Sequence, residues 1–379
     1  MTRRPRLVRI EWARLEGFRP RPAGSNARRG AHGAVVAVPI ARVTLDDGSA
    51  GFGLARLTPE QATAAHGALL PEGLTLGAGA EDPWQRLELP LCDLLARRAG
   101  LPVYALAAAA VGVVPASPLK VRCYDTSLYF DDLHLGGDDA AAAHMAAEAA
   151  EGYARGHRAF KIKVGRGARH LPLEPGTRRD IAVIRAIRAA VGPRATLLLD
   201  ANNGYNLNLA KRVLDETADC RVFWIEEAFH EDPELYANLR RWLADQGLSV
   251  LIADGEGDAS ARLLDWAREG LIDVVQYDLF DHGFRRWLST GRRLDAWGRC
   301  TAPHHYGTCI GNFVACHLAA AVRGFLYAEW DEATTPGLDA SGYELREGWV
   351  RVPDRPGFGL ELDEGVFRRA VAAAGFQIG

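Results

Sequence analysis

Between residues 121 and 329, short apolar runs alternate with longer amphipathic stretches, and this alternation restricts the fold more than any other feature. Stretches such as Asp180–Val191, Leu207–Thr217 and Pro233–Gln246 have helical periodicity. Eight strand-and-helix units in about 210 residues are typical of a (β/α)8 barrel. A doubly wound open sheet is the alternative, but the sequence lacks the glycine-rich phosphate turn of that fold. The apolar runs predict strands near 121–127, 159–164, 196–201, 222–226, 250–253, 274–277, 299–303 and 326–329.

Two lysines lie two residues apart in the second predicted strand, within Phe160–Gly165. A strand has a period of two, so Lys161 and Lys163 point to the same face. Two ammonium groups side by side on a buried face are costly unless carboxylates or a ligand compensate them. An edge strand with solvated lysines is the alternative interpretation.

Each later strand is followed by a polar, mostly acidic side chain. The carboxyl ends of barrel strands form one face of the barrel, so these side chains are expected to converge there. Any single one could be a solvated or capping carboxylate, but scattered surface charges would not recur once per unit. Three converging carboxylates repel one another without a cation, and oxygen ligands with room for water and substrate suit Mg²⁺. The series is Asp200, Glu226, Glu256, Asp278, His304 and Glu329.

Composition excludes several classes of function. Among 379 residues, 48% are hydrophobic and 25% charged, and the formal net charge of −3 argues against a nucleic-acid-binding surface. The longest apolar run, Val103–Val114, is too short to span a bilayer. Six cysteines are scattered without a CxxC pair, which is typical of reduced thiols in the cytoplasm. We therefore expect a cytoplasmic protein that binds neither nucleic acid nor membrane.

The segments that flank the predicted barrel indicate a second domain. Val35–Leu45 and Ser49–Leu54, joined by a turn, predict an antiparallel hairpin, and residues 59–112 predict helices. Arg19–Gly33 is rich in Arg, Pro and Gly and predicts a mobile loop. We predict an N-terminal α+β capping domain over residues 1–118, a barrel over 119–330, and a C-terminal segment over 331–379 that packs back on the capping domain and completes it.

The ordered motifs resemble those of the enolase superfamily, in its mandelate racemase/acid-sugar dehydratase branch, over nearly the whole chain. The N-terminal part is similar to the capping domain of that family at Gly51-Phe52-Gly53 and at Asp93 with Gly100-Leu101-Pro102. The resemblance implies an α/β fold with a modified TIM, or (β/α)8-type, barrel. The barrel motifs that carry it are Phe160–Gly165, Leu199–Asn202, Trp224–Glu227, Ile252–Glu256, Asp273–Asp278 and Pro303-His304.

The resemblance also implies a role for each residue of the series. Lys163 would be a base on one face of the substrate, and Lys161 would hold the substrate carboxylate. His304, paired with Asp278, would be an acid or base on the opposite face, and Glu329 would hydrogen-bond the developing enediolate. A Lys or His base working with Mg²⁺ is the known pattern of this superfamily. The implied ligands of Mg²⁺ are Asp200, Glu226 and Glu256.

Two positions depart from the family pattern. Related branches use an aspartate at the position of Asp254, so either Asp254 or Glu256 could be the third metal ligand, and we favour Glu256. A second histidine, His305, follows His304, and we interpret it as a rim residue. Asn202 and Glu227, like Asp254, are candidates to support the metal ligands or to contact the substrate.

We expect a lyase that dehydrates a polyhydroxy (aldonic or aldaric) acid, a small-molecule carboxylate, to a 2-keto-3-deoxy acid. A divalent cation and Lys161 can stabilise charge that forms next to the carboxylate, and the same cationic surroundings make Lys163 a usable base. A racemase or epimerase, a lactone cycloisomerase, and a metal- or sugar-acid-binding protein without turnover remain alternatives. We also expect a homo-oligomer.

Substrate specificity is assigned to two segments. The Arg19–Gly33 loop, with Arg28 and three other arginines, would close over an anionic substrate as a lid, or would be a disordered basic loop. The end of the first barrel strand offers Tyr124, Asp125, Thr126 and Tyr129, of which Tyr124 is the principal candidate for substrate contact.

Overall fold

The computed structural model describes residues 3–70, 76 and 84–379. Within the predicted helical region 59–112, residues 71–75 and 77–83 therefore lie outside the described part of the chain. The remaining chain folds into a small antiparallel sheet with helices, followed by a larger parallel α/β layer. The bounds of the elements before the parallel sheet are β1 (Leu7–Ala23), β2 (Gly33–Leu45), β3 (Ala50–Leu54), α1 (Pro59–Ala65), α2 (Glu88–Ala99) and α3 (Val103–Val111).

The antiparallel sheet has the order β16-β1-β2-β3, in which β16 is the last strand, Phe376–Ile378, so the first and the last strands of the chain are neighbours. Ile10 of β1 is the register partner of Ile378 in β16. The sheet packs on α2, and the approach is so close at Gly51 that an added Cβ would lie 2.3 Å from the backbone nitrogen of Leu94. A glycine is therefore required at this position, which explains part of the Gly51-Phe52-Gly53 motif.

The parallel sheet is built from eight strands that alternate with helices, as the hydrophobic periodicity predicts. Its strands are mostly buried on both faces, which explains their near-continuous apolar runs. Two short 3-10 helices, Arg166–Ala168 and Ala218–Cys220, lie in the connections. The strands are β4 (Lys120–Leu128), β5 (Ala159–Lys163), β6 (Thr196–Asp200), β7 (Val222–Glu226), β8 (Leu251–Asp254), β9 (Val274–Val275), β10 (Cys300–Thr301) and β11 (Ala328–Trp330).

The helices between these strands pack against the parallel sheet. Helix α5 begins at Leu173 rather than near Asp180, so the observed helix is longer than the predicted one. The helices are α4 (Asp138–Ala154), α5 (Leu173–Val191), α6 (Leu207–Glu216), α7 (Pro233–Asp245), α8 (Leu263–Glu269), α9 (Leu279–His282), α10 (Phe284–Trp297) and α11 (Ile310–Ala319).

The parallel strands are hydrogen-bonded in the order β10-β9-β8-β7-β6-β5-β4, and β11 pairs with β4 on the other side. An isolated parallel bridge also joins Thr301 of β10 to Phe325, three residues before β11. Because neighbouring strands are parallel, their carboxyl ends lie at the same edge of the sheet.

The C-terminal residues contact both parts of the molecule. Strand β14 pairs antiparallel with β4, a contact with the parallel sheet that the sequence did not predict. Strand β16 and helix α12 return to β1, where β16 completes the antiparallel sheet. The elements are β12 (Leu338–Asp339), β13 (Glu344–Arg346), β14 (Trp349–Arg351), β15 (Glu361–Leu362), α12 (Glu364–Ala374) and β16 (Phe376–Ile378).

Candidate active site

Three acidic side chains meet at the carboxyl ends of β6, β7 and β8. Asp200 is the last residue of β6 and is in register with Glu226, the last residue of β7. Glu256 follows β8 by two residues. One carboxylate oxygen from each of the three lies within 4.8 Å of the other two. Oxygen ligands at this spacing are the donor set that Mg²⁺ prefers.

Asp254, the alternative to Glu256, is turned toward the protein. Its Oδ2 accepts a hydrogen bond of 2.6 Å from the Tyr236 hydroxyl, and its Oδ1 accepts one from the backbone of Gly255. Burial raises the pKa of Asp254 to about 7. The geometry therefore groups Glu256, rather than Asp254, with Asp200 and Glu226.

The two lysines point to the same face, but their surroundings differ. Lys161 is 1% exposed, and its Nζ lies 3.1 Å from Glu226 Oε1, 3.1 Å from Glu329 Oε1 and 3.4 Å from Asp200 Oδ2. Burial lowers the pKa of Lys161, but these carboxylates outweigh burial and raise it well above its usual value. Lys163 donates a hydrogen bond to Asp200 and lines the cavity described below.

The carboxylates are buried together, and their charges affect one another. Burial and the charge of Asp200 raise the pKa of Glu226 to about 8. Burial also acts on Glu329, but the charges of Lys161 and His304 outweigh it and hold the pKa of Glu329 well below its usual value. Glu329 also accepts a hydrogen bond of 2.8 Å from the hydroxyl of Thr126.

His304 lies between two carboxylates. Its Nδ1 is 3.2 Å from Asp278 Oδ2, and its Nε2 is 3.3 Å from Glu256 Oε2. Asp278 caps the short helix α9 through its other oxygen, which fixes the carboxylate beside the imidazole. Burial lowers the pKa of His304, but Glu256, Glu329 and the hydrogen bond with Asp278 outweigh burial and raise it to about 9.

The expectation that His305 is a rim residue is wrong. Its side chain is 1% exposed, and its Nε2 is 2.9 Å from the backbone oxygen of Glu329. Its backbone N–H donates a hydrogen bond of 2.7 Å to Glu329 Oε2. His305 is thus a buried residue that holds Glu329, a partner 24 positions away that the local sequence does not indicate.

Asn202 and Glu227 follow β6 and β7 and contact each other. Asn202 Nδ2 donates to Glu227 Oε2 at 2.8 Å and to Glu256 Oε1 at 3.2 Å. Sequence reasoning missed Gln276, whose Nε2 donates to Glu226 Oε2 at 2.9 Å. Gln276 directly follows the apolar pair of β9, so its position as a polar residue at a strand end is the signal that could have identified it.

Tyr124 of β4 and Tyr129, which directly follows that strand, lie in different places. Tyr124 is fully buried in an aromatic cluster below Lys161, with its ring edge-on to Trp224 at 5.7 Å. Tyr129 instead lines the cavity beside Lys163, whose Nζ lies 5.2 Å from the centre of its ring. Of the two, Tyr129 is the one placed to contact a molecule in the cavity.

A cavity of about 830 Å³ opens at this site. Its wall includes Lys163, Asn202, Glu256, Asp278 and His304. Residues from the N-terminal part of the chain and from loops after the strands complete it. These further residues include Asn26, Arg28, Arg29, His32, Arg56, Tyr129, Asn203, Glu227, Glu231 and Tyr306.

The Arg19–Gly33 segment is not one loop. Its first residues continue β1 as far as Ala23, and two of its arginines contact carboxyl groups away from the cavity. Arg19 forms an ion pair with Asp331 at 2.8 Å, and Arg21 lies 3.1 Å from Glu148. Only the part from Gly24 to His32 connects the strands, and it brings Arg28 to the cavity, 3.6 Å from Glu227.

Within the described residues, no helix is both long enough and apolar enough to cross a membrane. All six cysteines are free thiols.

Known proteins share the sequence pattern and the fold of this chain. The family described as Enolase C-terminal domain-like matches residues 144–366. The chain is similar to galacturonate dehydratase from a Geobacillus species, solved with D-galacturonate and 5-keto-4-deoxy-D-galacturonate. The two are 45% identical, with a TM-score of 0.95 over 100% of each chain.

Two further similar proteins are named for reactions other than dehydration. A mandelate racemase/muconate lactonizing protein from a Geobacillus species, solved with magnesium/tartrate, is 45% identical, with a TM-score of 0.94 over 99% of this chain and 97% of that one. D-galactarolactone cycloisomerase from Agrobacterium fabrum is 30% identical over 64% of this chain, which spans 63% of that relative's length. The chain therefore belongs to the enolase superfamily, among its mandelate racemase and acid-sugar dehydratase enzymes.

Proposed function

We propose that the protein is a Mg²⁺-dependent dehydratase of a sugar acid. One observation carries this proposal: two groups able to transfer protons, Lys163 and His304, line the same cavity and contact different members of the Asp200, Glu226 and Glu256 triad. A base and an acid at separate points around one substrate are what the removal of an α-proton and a β-hydroxyl requires. The similarity to galacturonate dehydratase supports the same reaction.

The triad would hold Mg²⁺ through Asp200, Glu226 and Glu256. Their oxygen atoms fit this ion because it prefers hard donors and few protein ligands. When bound, the ion would stabilise negative charge that develops on the substrate carboxylate. Gln276 keeps Glu226 in place from outside the triad.

In the proposed reaction, Lys163 removes the proton α to the substrate carboxylate, and Lys161 neutralises charge on the carboxylate oxygens. His304, oriented by Asp278, donates its proton to the departing β-hydroxyl, which leaves as water. Glu329, whose carboxylate lies 3.1 Å from Lys161 Nζ, would hold that ammonium group in place. For a uronic acid such as D-galacturonate, the α-proton is on C5 and the leaving hydroxyl on C4, which gives a 5-keto-4-deoxy acid after tautomerisation. The same chemistry on an aldonic or aldaric acid gives a 2-keto-3-deoxy acid.

We further propose that the parallel strands close into a modified (β/α)8 barrel. The bridge between Thr301 and Phe325, together with the pairing of β11 with β4, supports this closure. We keep residues 1–118, 119–330 and 331–379 as the capping domain, barrel and completing segment. A homo-oligomer and a cytoplasmic location also remain proposals, the latter supported by the free cysteines.

The proposal is tested with D-galacturonate and a panel of aldonic and aldaric acids, with Mg²⁺ present. Wild type should form a keto-deoxy acid, detected by its reaction with semicarbazide. In deuterated water, His304→Asn should still exchange the α-hydrogen of the substrate but form little product. Lys163→Ala should lose both exchange and turnover, because the base is absent.

Other outcomes identify the alternatives. Exchange that persists in Lys163→Ala and disappears in His304→Asn would make His304 the base. Inversion of the α-carbon without loss of water would favour a racemase or epimerase, and ring opening of an aldarolactone would favour a cycloisomerase. Binding without any product or exchange would indicate a protein that has lost turnover and would refute the dehydratase.

A further inference from the structure

Three residues beside the acidic triad have an uncommon backbone conformation. Asn202, Asn203 and Glu227 have φ values of +43°, +59° and +43°, in the left-handed region that non-glycine residues rarely adopt. They occupy the turns after two neighbouring strands, β6 and β7. Such conformations persist where the surrounding contacts determine them, and they are concentrated at functional sites.

Glu227 is the residue that joins the two turns. Its side chain is 3% exposed, and each of its carboxyl oxygens accepts a hydrogen bond from a different amide. Asn202 Nδ2 donates to Oε2 at 2.8 Å, and Asn203 Nδ2 donates to Oε1 at 2.9 Å. The backbone oxygen of Glu227 also accepts from the Asn203 N–H at 2.7 Å. Arg28 approaches the same carboxyl group to 3.6 Å.

These contacts determine which way the Asn202 amide points. Its Nδ2 faces carboxyl oxygens of both Glu227 and Glu256, and an amide oxygen in that position would be repelled. The Oδ1 must therefore lie on the other side. It is buried without a hydrogen-bond partner, although Asn202 contributes to the cavity wall. A buried acceptor without a donor is unfavourable unless a ligand supplies one.

We propose that Glu227 is a positioning residue: it orients the Asn202 amide so that Oδ1 accepts a hydrogen bond from a hydroxyl group of the bound acid. The inference rests on the proposed function only in taking the cavity as the substrate site. It assigns to Glu227 a role in recognising hydroxylated acids that is separate from metal binding.

Tartrate and succinate provide a direct test. Both are four-carbon dicarboxylates, and they differ only in the two hydroxyl groups of tartrate. Calorimetric titration of the Mg²⁺-saturated protein measures the affinity for each, after the Mg²⁺ affinity of every variant has been determined. Asn202→Ala should weaken tartrate binding about tenfold and leave succinate binding almost unchanged, since only tartrate supplies the hydroxyl donor.

Variants of Glu227 distinguish positioning from a general structural role. Glu227→Ala should match Asn202→Ala, and the double variant should be no worse than either, because Glu227 acts through Asn202. Glu227→Gln should retain most of the tartrate preference: its amide oxygen can accept from Asn202, while the Asn203 amide turns to accept from the new N–H. Asn206→Ala is the control: its amide caps α6 outside the cavity wall, so its loss should leave the ratio of the two affinities unchanged.

Several results would overturn the proposal. If wild type binds tartrate no better than succinate, Asn202 Oδ1 accepts no hydrogen bond from a hydroxyl group of the bound acid. Additive losses of tartrate affinity in the double variant would assign Glu227 to the metal site or to folding instead. So would an equal loss of affinity for both acids in Glu227→Ala. If Glu227→Ala does not fold, Glu227→Asp withdraws the carboxyl group by one methylene and must show the same selective loss. Absence of turnover on every sugar acid would refute the dehydratase without affecting this comparison of binding.

Discussion

A buried ion pair joins the antiparallel sheet to the parallel one and provides a quantitative test of the structure. Arg19 of β1 contacts Asp331 through two hydrogen bonds of 3.2 and 2.8 Å, and their side chains are 5% and 2% exposed. Without Asp331, the guanidinium group would keep, among the residues that the structure describes, the backbone oxygen of Gly33 and the face of Tyr306. Removing one member of a buried pair costs about 3–5 kcal/mol, because the remaining charge is uncompensated.

The expected change in melting temperature follows from the length of the chain. An unfolding entropy of about 2.1 cal/mol/K per residue corresponds, for a chain of 379 residues, to roughly 0.8 kcal/mol/K. Asp331→Ala should therefore lower the Tm by roughly 5 °C for a loss of about 4 kcal/mol. The measurement is thermal unfolding followed by circular dichroism at one scan rate.

An exposed pair between the same two parts of the molecule is the matched control. Arg56 and Asp281 lie 2.9 Å apart but are 62% and 70% exposed. Such pairs contribute less than about 1 kcal/mol, so Asp281→Ala should lower the Tm by roughly 1 °C or less. The double variant Arg19→Met/Asp331→Leu carries no buried charge and should recover at least half of the loss. Equal shifts for Asp331→Ala and Asp281→Ala, or a double variant less stable than Asp331→Ala, would refute this reasoning.

Three further predictions concern the metal, the substrate and pH. Glu226→Gln should weaken Mg²⁺ binding roughly 100-fold in a calorimetric titration, with an unchanged circular dichroism spectrum, because the triad loses one anionic ligand. Replacing Arg28 and Arg29 by alanine should raise KM about tenfold on the identified substrate, with Mg²⁺ affinity unchanged, since both line the cavity as cations. Burial and the charge of Asp131 raise the pKa of Glu148 from its usual 4.5 to about 8. The stability that this proton contributes is complete below the unfolded-state pKa and is lost as pH rises through about 8. The Tm should therefore fall in wild type between about pH 5 and 8, level off above that range, and fall less in Glu148→Gln.

The parallel strands could be predicted because each is a short apolar run with a polar residue at its carboxyl end. The start of α5 could not be predicted in the same way, because Pro175 and Gly176 resemble a helix stop. In the structure, Pro175 lies in the first helical turn, where its missing N–H would have no partner. An added Cβ at Gly176 would lie 2.4 Å from the backbone nitrogen of Gly167, so close packing requires the glycine.

Long-range pairing explains the other differences. Arg19 was expected in a lid because it lies among Pro, Gly and Arg residues, but its partner, Asp331, is 312 positions away. Nothing in the local sequence indicates that pair. Likewise, local sequence does not show that Tyr124 faces the aromatic core, whereas Tyr129 faces the cavity. The residue types of the site were therefore predictable, whereas the partner of each side chain depends on the tertiary structure.

The two lysines show how far the fold itself assigns function. The strand period places Lys161 and Lys163 on one face, but it does not indicate which of the two lysines acts as the base. The structure distinguishes them by their neighbours: Lys161 is surrounded by three carboxylates, whereas Lys163 contacts Asp200 and lines the cavity. An ammonium group among three carboxylates is held in its charged form and is poorly suited to accept a proton. In the proposed reaction, Lys161 is therefore a fixed cation, and Lys163 is the lysine left to act as the base.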